Sequence, residues 1–271
     1  MAYSIQQLHR MFIPMLQEFD SFCREHGLRY FLDGGTLLGA VREGGFIPWD
    51  DDVDIVMPRP DYERLICEWN GSMSLLCHEK DCEYVFPYIK LFHPVSPVVE
   101  IQDEEFRIQS KVFLKIDLYP MDGVSPSKHS AFRQGSIVKL WKKWLFLRID
   151  KQESRNILKR FAYKCLRLIP TNFLYNRLDS AMKMYDYESS RFVTRWRTSN
   201  GAVSIFEKNV VEPLSVVSFE NERLYCPADY DTYLKKTYGD YMQPVRQNEG
   251  LRHSTTASSV ASDLENYISK K

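Results

Sequence analysis

The feature that most constrains this chain is a glycine turn joined to a carboxylate cluster within residues 31–57. A short apolar run ends at Leu32, and apolar residues at helical spacing follow the segment Gly34, Gly35 and Thr36. The pattern predicts a strand, a tight turn and a helix. Glycine lets such a turn approach a phosphate closely, and the free N–H groups at a helix N-terminus favour an anion. Thr36 would add a hydroxyl group near that anion.

The second half of this stretch carries closely spaced carboxylates. Asp52 and Asp54 belong to a predicted strand over residues 52–57, so their side chains point to the same face. Carboxylates this close repel each other unless a cation relieves them, and oxygen ligands suit Mg²⁺ or Mn²⁺. Asp50 and Asp51 would tune such a site or hold a second ion. The alternative is a solvated acidic loop whose aspartates cap a helix.

A third acid lies in a later strand, predicted over residues 112–119. Asp117 stands among its apolar residues, and burying an unpaired carboxylate is costly. The acid is therefore neutral, hydrogen-bonded, or opposite a metal or a base. Asp52, Asp54 and Asp117 could share one ion. The alternative for Asp117 is capping of the turn that follows the strand.

Two runs make the sequence recognisable. They are Leu-Asp-Gly-Gly-Thr-Leu-Leu-Gly-Ala-Val-Arg at 32–42 and Gly-Phe-Ile-Pro-Trp-Asp-Asp-Asp-Val-Asp-Ile at 45–55. Together they resemble the LicD family of phosphocholine transferases, relatives of fukutin and the fukutin-related protein. The segment Tyr-Gly-Asp-Tyr-Met at 238–242, followed by Pro244 and His253, is also similar to that family. The resemblance covers both ends of the chain and matches the middle poorly.

The resemblance implies an α/β (α+β) fold, a nucleotidyltransferase-type mixed sheet flanked by helices, with a basic helical insertion. It divides the chain into a catalytic core at 1–127, the insertion at 128–190 and a C-terminal part at 191–271 that completes the domain. The implied reaction moves phosphocholine from CDP-choline to a hydroxyl of a cell-surface glycan and releases CMP. The acceptor would be a lipopolysaccharide, teichoic acid or capsule precursor, in lipid-linked form if assembly occurs on a membrane.

The resemblance also implies roles for individual residues. Asp52, Asp54 and Asp117 would be the catalytic metal ligands, and Asp117 or a neighbouring carboxylate would receive the acceptor proton. The turn residues Gly34, Gly35 and Thr36 would cradle a phosphate. Further expected substrate contacts are Arg42, Trp49, Lys90 and His253.

Several alternatives remain open for function. One is transfer of ribitol phosphate or glycerol phosphate from the CDP-alditol, which depends on the alcohol pocket. A choline pocket needs aromatic rings around the quaternary ammonium, and Trp49, Tyr88 and Tyr119 are candidates. A more distant alternative is a nucleotide-adding transferase. A scaffold that binds no metal is the alternative from another class, and the intact carboxylates argue against it.

Composition places the chain among globular proteins of a reducing compartment. The 271 residues balance 36 basic against 36 acidic side chains, and 44% are hydrophobic. Six cysteines lack a paired framework, which predicts free thiols and a cytoplasmic protein. Cys77, His78 and Cys82 resemble half of a zinc site but lack a second pair. No apolar run is long enough to span a bilayer, and the charged first 25 residues predict a helix rather than a signal peptide.

The middle of the chain is strongly basic. Residues 128–167 hold twelve Lys or Arg side chains against Asp150 and Glu153, with apolar residues at helical spacing. With Trp141 and Trp144, this pattern is typical of helices at an anionic membrane, here the inner face of the plasma membrane. The alternative is a basic helix whose aromatic face packs on the core. Nucleic-acid binding ranks low, because no recognised motif is present and the chain is neutral.

Local patterns predict the remaining elements. A first helix should end at Gly27, and Asp61 should cap another. Two β-rich runs, 84–92 and 98–102, should pair as a hairpin, with Lys90 in the first. Later predictions are a helix over 172–187, a strand or extended run over 192–199, strands over 216–219 and 223–226, and a helix that ends at Gly239.

Overall fold

The computed structural model describes residues 2–103, 108–147, 168–199 and 202–243. The chain forms two compact units. The first comprises Met1–Leu75, Tyr88–Pro120 and Phe206–Lys271, and the second comprises Leu76–Pro87 and Met121–Ile205.

Helices and strands of the described residues mix along the chain, as expected for the α+β class. Their order is α1 (Ile5–His26), β1 (Phe31–Leu32), α2 (Gly34–Arg42), β2 (Val53–Pro58), α3 (Arg59–Glu68), β3 (Ser74–Leu76), β4 (Ile89–Phe92), β5 (Val98–Asp103), β6 (Ile108–Phe113), β7 (Lys115–Val124), α4 (Lys128–Phe146), α5 (Thr171–Met182), β8 (Phe192–Ser199), β9 (Ala202–Glu207), α6 (Lys208–Val211), β10 (Ser215–Phe219), β11 (Glu222–Cys226) and α7 (Tyr230–Tyr238). The predicted fold class is confirmed.

The first unit is built on a sheet with strand order β1-β2-β7-β4-β3. β1 runs antiparallel to β2, and β4 runs antiparallel to β7 with Lys90 opposite Asp117. Helix α1 begins with a capping box at Ser4, ends at Gly27 in the left-handed conformation, and buries its apolar face. β5 and β6 form a separate hairpin, and β10 and β11 form another.

The second unit is organised around a small apolar core. α4 and α5 contribute Val138, Leu145, Leu174 and Leu178 to a buried cluster. The last residues of β7 pair antiparallel with β8, and β9 lies beside β8. No helix in the described part of the chain is long and apolar enough to cross a membrane.

Several element predictions are confirmed, because each rests on a strong local signal. These are the first helix with its end at Gly27, the strand over 192–199, the two late strands and the helix that ends at Gly239. Cys23, Cys67, Cys77, Cys82 and Cys226 are free thiols, and Cys165 lies outside the described residues.

The predicted hairpin of residues 84–92 with 98–102 is wrong. Only residues 89–92 form a strand, which pairs with β7, while β5 pairs with β6. The predicted strand over 112–119 is divided at Leu114, whose N–H donates to Pro97 O and whose carbonyl accepts from His93 N. This interruption lets β6 and β7 belong to different sheets.

Two smaller predictions also need correction. Asp61 does not cap α3, because the helix begins earlier and Asp61 lies in its first turn, where Arg29 donates to its carboxylate at 2.7 Å. The helix predicted over 172–187 ends at Met182. The division into segments 1–127, 128–190 and 191–271 stays a prediction.

Two tryptophans of the basic helix contact the second unit's core. Trp141 and Trp144 pack against the buried cluster of α4 and α5. For these two side chains, the structure supports the core-packing alternative over the membrane alternative. Residues 148–167 of the basic stretch lie outside the described part of the chain.

Candidate active site

The glycine turn lies directly against the carboxylate cluster, and that contact explains its glycines. Gly34 has φ of 57°. A Cβ atom at Gly34 would clash with Asp54 Oδ2, and one at Gly35 would clash with Asp50 Oδ2. The absent side chains thus make room for carboxylates, as well as for any phosphate.

Backbone hydrogen bonds hold the turn on β2. Asp33 N donates to Asp54 O at 3.0 Å, and Thr36 Oγ1 accepts from Asp54 N at 3.0 Å. Tyr233, from α7, donates its hydroxyl hydrogen to Asp33 Oδ1 at 2.9 Å. Thr36 therefore anchors the turn. Sequence reasoning missed the contribution of Tyr233, because nothing local links it to a residue so distant in the chain.

The carboxylates that follow the turn gather in a tight group. One oxygen from each of Asp50, Asp51 and Asp52 lies within 4.8 Å of the others, and Asp54 is buried two residues further along. Burial and then the charge of Asp54 raise the pKa of Asp52 to about 8, although Lys115 acts in the opposite direction. Burial and then Asp52 likewise raise the pKa of Asp50. The ionised carboxylates of this group therefore repel one another.

These residues fit a divalent cation. Asp50 Oδ2 is buried and accepts no hydrogen bond from the described residues. The ligand atoms that these aspartates offer to a metal are all carboxylate oxygens, the ligand type that Mg²⁺ and Mn²⁺ prefer. A cation at this point would offset the repulsion that raises the two pKa values. Asp50 is therefore a candidate ligand beside the predicted Asp52 and Asp54.

Asp117 lies between two lysines, on the strand that neighbours β2 in the sheet. Lys90 Nζ is 2.8 Å from Asp117 Oδ1, and Lys115 Nζ is 2.6 Å from Asp117 Oδ2. Burial pushes the pKa of Asp117 upward, but Lys115 and Lys90 together outweigh it and bring the pKa below its usual value. The charge of Asp117 also acts on Asp52. Its predicted role as a metal ligand stays a prediction.

Lys115 is a candidate functional residue that sequence reasoning missed. It stands two residues before Asp117 on β7, so both side chains share one face of the strand. That spacing was the available signal, since a cation two positions from a buried acid on a strand is placed to pair with it. Lys90 reaches the same carboxylate because it is directly opposite in the ladder.

Two of the predicted aromatic residues meet on this face. The ring centroids of Tyr88 and Tyr119 are 4.6 Å apart. Lys90 Nζ lies 4.7 Å from the centroid of Tyr88, so this ring already faces a cation. Trp49 is half-buried beside Asp50 in the chain.

The other residues predicted to contact substrate or metal do not join the carboxylate group in the described part of the chain. Arg42 pairs with Glu43 at 2.7 Å at the end of α2, and the guanidinium side chain is largely buried. His253 lies outside the described residues. His78 does not support the zinc half-site, because its two ring nitrogens lie 2.8 Å from Tyr84 O and 3.1 Å from Asn172 Oδ1.

Most residues of this site lie in a region that matches a known protein family. Residues 27–146 match the family described as LicD/FKTN/FKRP, nucleotidyltransferase domain. This similarity covers 120 of the 271 residues. The matched region includes the glycine turn, the carboxylate group and the Lys90–Asp117–Lys115 arrangement, whereas Tyr233 lies beyond it.

Individual relatives extend the similarity over different lengths. The chain is 24% identical over 257 residues to the lipopolysaccharide cholinephosphotransferase LicD of Haemophilus influenzae, covering 89% of this chain and 92% of the relative. It is 66% identical over 29 residues to the mouse ribitol 5-phosphate transferase FKRP, which is 11% of this chain and 6% of that protein. An uncharacterised protein of Rickettsia typhi is 38% identical over 119 residues, covering 40% of this chain and 36% of the relative.

Proposed function

We propose that the protein is a metal-dependent phosphotransferase that moves phosphocholine from CDP-choline to a hydroxyl of a cell-surface glycan and releases CMP. The observation that carries the proposal is the packing of the Asp50–Asp54 carboxylates against the Gly34–Gly35 turn, with the Lys90–Asp117–Lys115 arrangement on the same sheet. The similarity along nearly the whole chain to a cholinephosphotransferase supports the same activity.

In this proposal the cation is Mg²⁺ or Mn²⁺, held by Asp52 and Asp54 with Asp50, and it would neutralise charge on the donor diphosphate. The turn N–H groups bind a phosphate oxygen. Lys115 is close to this group of acids and is partly accessible, so it can contact the diphosphate as a fixed positive charge.

We propose a narrower role for Asp117 than the one predicted from the sequence. Its pKa is lowered by Lys115 and Lys90, against the effect of burial, which makes it a weak proton acceptor. We therefore assign it to positioning the two lysines and to the electrostatics of the cation.

The donor alcohol is the second element of the proposal. The Tyr88–Tyr119 pair offers aromatic faces close to the lysines, and such faces attract a quaternary ammonium. This pair, together with the similarity to a cholinephosphotransferase, is our reason for assigning choline as the donor alcohol. Ribitol phosphate transfer is the second candidate because of the short, highly similar segment shared with the ribitol 5-phosphate transferase. Glycerol phosphate transfer from CDP-glycerol is a third candidate, because it uses the same phosphoryl-transfer chemistry.

The test is a donor comparison with purified protein. CDP-choline, CDP-ribitol and CDP-glycerol are each incubated with Mg²⁺ and with lipopolysaccharide or teichoic acid acceptors, and CMP release is measured. We expect CDP-choline to give the fastest acceptor-dependent release, and chelator to abolish it. If CMP is released faster from CDP-ribitol, the donor is CDP-ribitol rather than CDP-choline. Equal CMP release in excess chelator would overturn the metal dependence.

A further inference from the structure

The outward face of α4 is basic and exposed. The side chains of Lys128, Arg133, Lys139 and Lys143 are all exposed to solvent. No Asp or Glu occurs anywhere in the helix, Lys128–Phe146. At 100° per residue these four positions fall within one broad arc of the helix surface. This arc therefore presents concentrated positive charge.

Two large apolar side chains lie within the same arc. Phe132 is 76% exposed and Leu140 is 45% exposed. The helix positions that do pack on the second unit's core are on the other side, where Val138 and Leu145 are buried. Phe132 and Leu140 are thus not part of that core, although burying them would be favourable by the hydrophobic effect.

We propose that this face of α4, defined by Lys128, Phe132, Arg133, Lys139, Leu140 and Lys143, docks on an anionic lipid bilayer. The cations complement acidic headgroups, while Phe132 and Leu140 enter the boundary between headgroups and acyl chains. This contact does not involve the tryptophans, which pack on the core. It depends on neither the metal site nor the transfer reaction.

The combination of residues distinguishes a bilayer from other polyanions. A nucleic-acid backbone binds through salt-sensitive phosphate contacts and gains little from an exposed Phe and Leu on the same arc. A bilayer uses both kinds of side chain, because its charged surface covers an apolar interior. The apolar pair therefore provides the decisive test.

The experiment is co-sedimentation of the full-length protein with vesicles. One set contains phosphatidylglycerol with phosphatidylcholine, and the other contains phosphatidylcholine alone. We expect binding to the first set at low ionic strength, weakening as added salt shortens the screening length to about 8 Å at physiological ionic strength. Absence of binding to phosphatidylglycerol vesicles at low salt would overturn the proposal.

Two variants separate the contributions of charge and apolar contact. Replacing Arg133, Lys139 and Lys143 by Gln should lower vesicle partitioning by roughly 100-fold, since each basic residue near the surface contributes about fivefold. The matched control removes three cations elsewhere, with Arg64→Gln, Lys80→Gln and Lys235→Gln, and should bind nearly as well as wild type at low salt. If both triple variants lose binding equally, net charge rather than this face is responsible and the proposal fails.

The second variant, Phe132→Ser with Leu140→Ser, keeps the net charge. It should weaken binding to phosphatidylglycerol vesicles and leave any binding to a double-stranded DNA fragment, whose bases are not free to stack on Phe132, unchanged. If vesicle binding is also unchanged, the face is a general polyanion site and the bilayer proposal is wrong. Thermal unfolding by circular dichroism confirms that each variant is folded. Because CMP release is measured in a separate assay without phospholipid vesicles, failure of one proposal is distinguishable from failure of the other.

Discussion

Asp52 is half-buried and experiences charges of both signs. Burial and Asp54 raise its pKa, while Lys115 lowers it, and Asp50 and Asp51 lie close by. Asp52 therefore contributes more to cation binding than to the stability of the cation-free protein, because its ionised form is repelled by the neighbouring carboxylates.

We expect Asp52→Asn to reduce transfer by about 10²-fold or more, the scale seen when one preorganised electrostatic group is removed. The melting temperature should stay the same or rise, since the substitution relieves repulsion. CMP release at saturating Mg²⁺ and a thermal melt measure the two effects. Glu25→Gln, which changes an exposed carboxylate of α1 to an amide, is the control. Wild-type turnover in Asp52→Asn would remove this residue from the mechanism.

Tyr88 provides a second test at the residue scale. Tyr88→Leu keeps an apolar side chain but removes the aromatic face next to Tyr119. We expect kcat/KM for CDP-choline to fall by roughly 2- to 30-fold, corresponding to about 0.5–2 kcal/mol for a cation–π contact. The value for CDP-ribitol should hardly change. Tyr230→Leu, in an exposed tyrosine of α7, is the matched control. A parallel loss for both donors would argue against choline recognition by this ring.

At the scale of elements, strand β7 carries candidate-site side chains on one face and core side chains on the other. Lys115, Asp117 and Tyr119 occupy one face, while Ile116 and Leu118 on the other face are fully buried. Because side chains alternate along a strand, a shift of one residue would place the apolar side chains in the site. The turn between β1 and α2 is equally constrained, since its glycines lie against carboxylates of β2 and of the segment before it.

Two glycines with similar backbone conformations allow a matched comparison. Gly34 has φ of 57° and Gly27 has φ of 63°, so Ala at either position should cost about 1–2 kcal/mol of unfolding free energy. Only at Gly34 would the new methyl group displace a carboxylate, because no atom lies within 4 Å of a Cβ at Gly27. We expect Gly34→Ala to lose transfer activity and Gly27→Ala to retain it, with both followed by urea unfolding and CMP release. Equal activities would show that the close approach to Asp54 is unimportant.

Sequence patterns predicted this part of the fold well because their signals are local. The glycine turn, the helix after it and the strand with Asp54 follow from residues adjacent in the chain. The partner of the strand at Lys90 was mispredicted, because alternation shows which residues share a face but not which strand lies alongside. The two-lysine environment of Asp117 depends on that pairing, and so it could not be derived from either segment alone.

At the scale of the whole molecule, cation and donor should stabilise the protein together. We expect CDP-choline to raise the melting temperature only when Mg²⁺ or Mn²⁺ is present, because the diphosphate and the carboxylates otherwise repel each other. Ligand at about 100 times its Kd would add about 2.7 kcal/mol of unfolding free energy. Differential scanning fluorimetry with and without EDTA measures the shift, and Asp52→Asn should lose the cation-dependent part. Equal stabilisation by CDP-choline in EDTA would contradict the shared site.

The hydrogen bond from Tyr233 to Asp33 joins residues 200 positions apart. Tyr233 also packs its ring edge-on against Phe31, and Tyr225 does the same with Tyr30. During translation at about 5–20 residues per second, the nascent turn would wait roughly 10–40 s for these partners to be synthesised. The apolar surface around β1 remains uncovered in that interval. Newly made chains of this protein should therefore depend on chaperones until synthesis reaches α7.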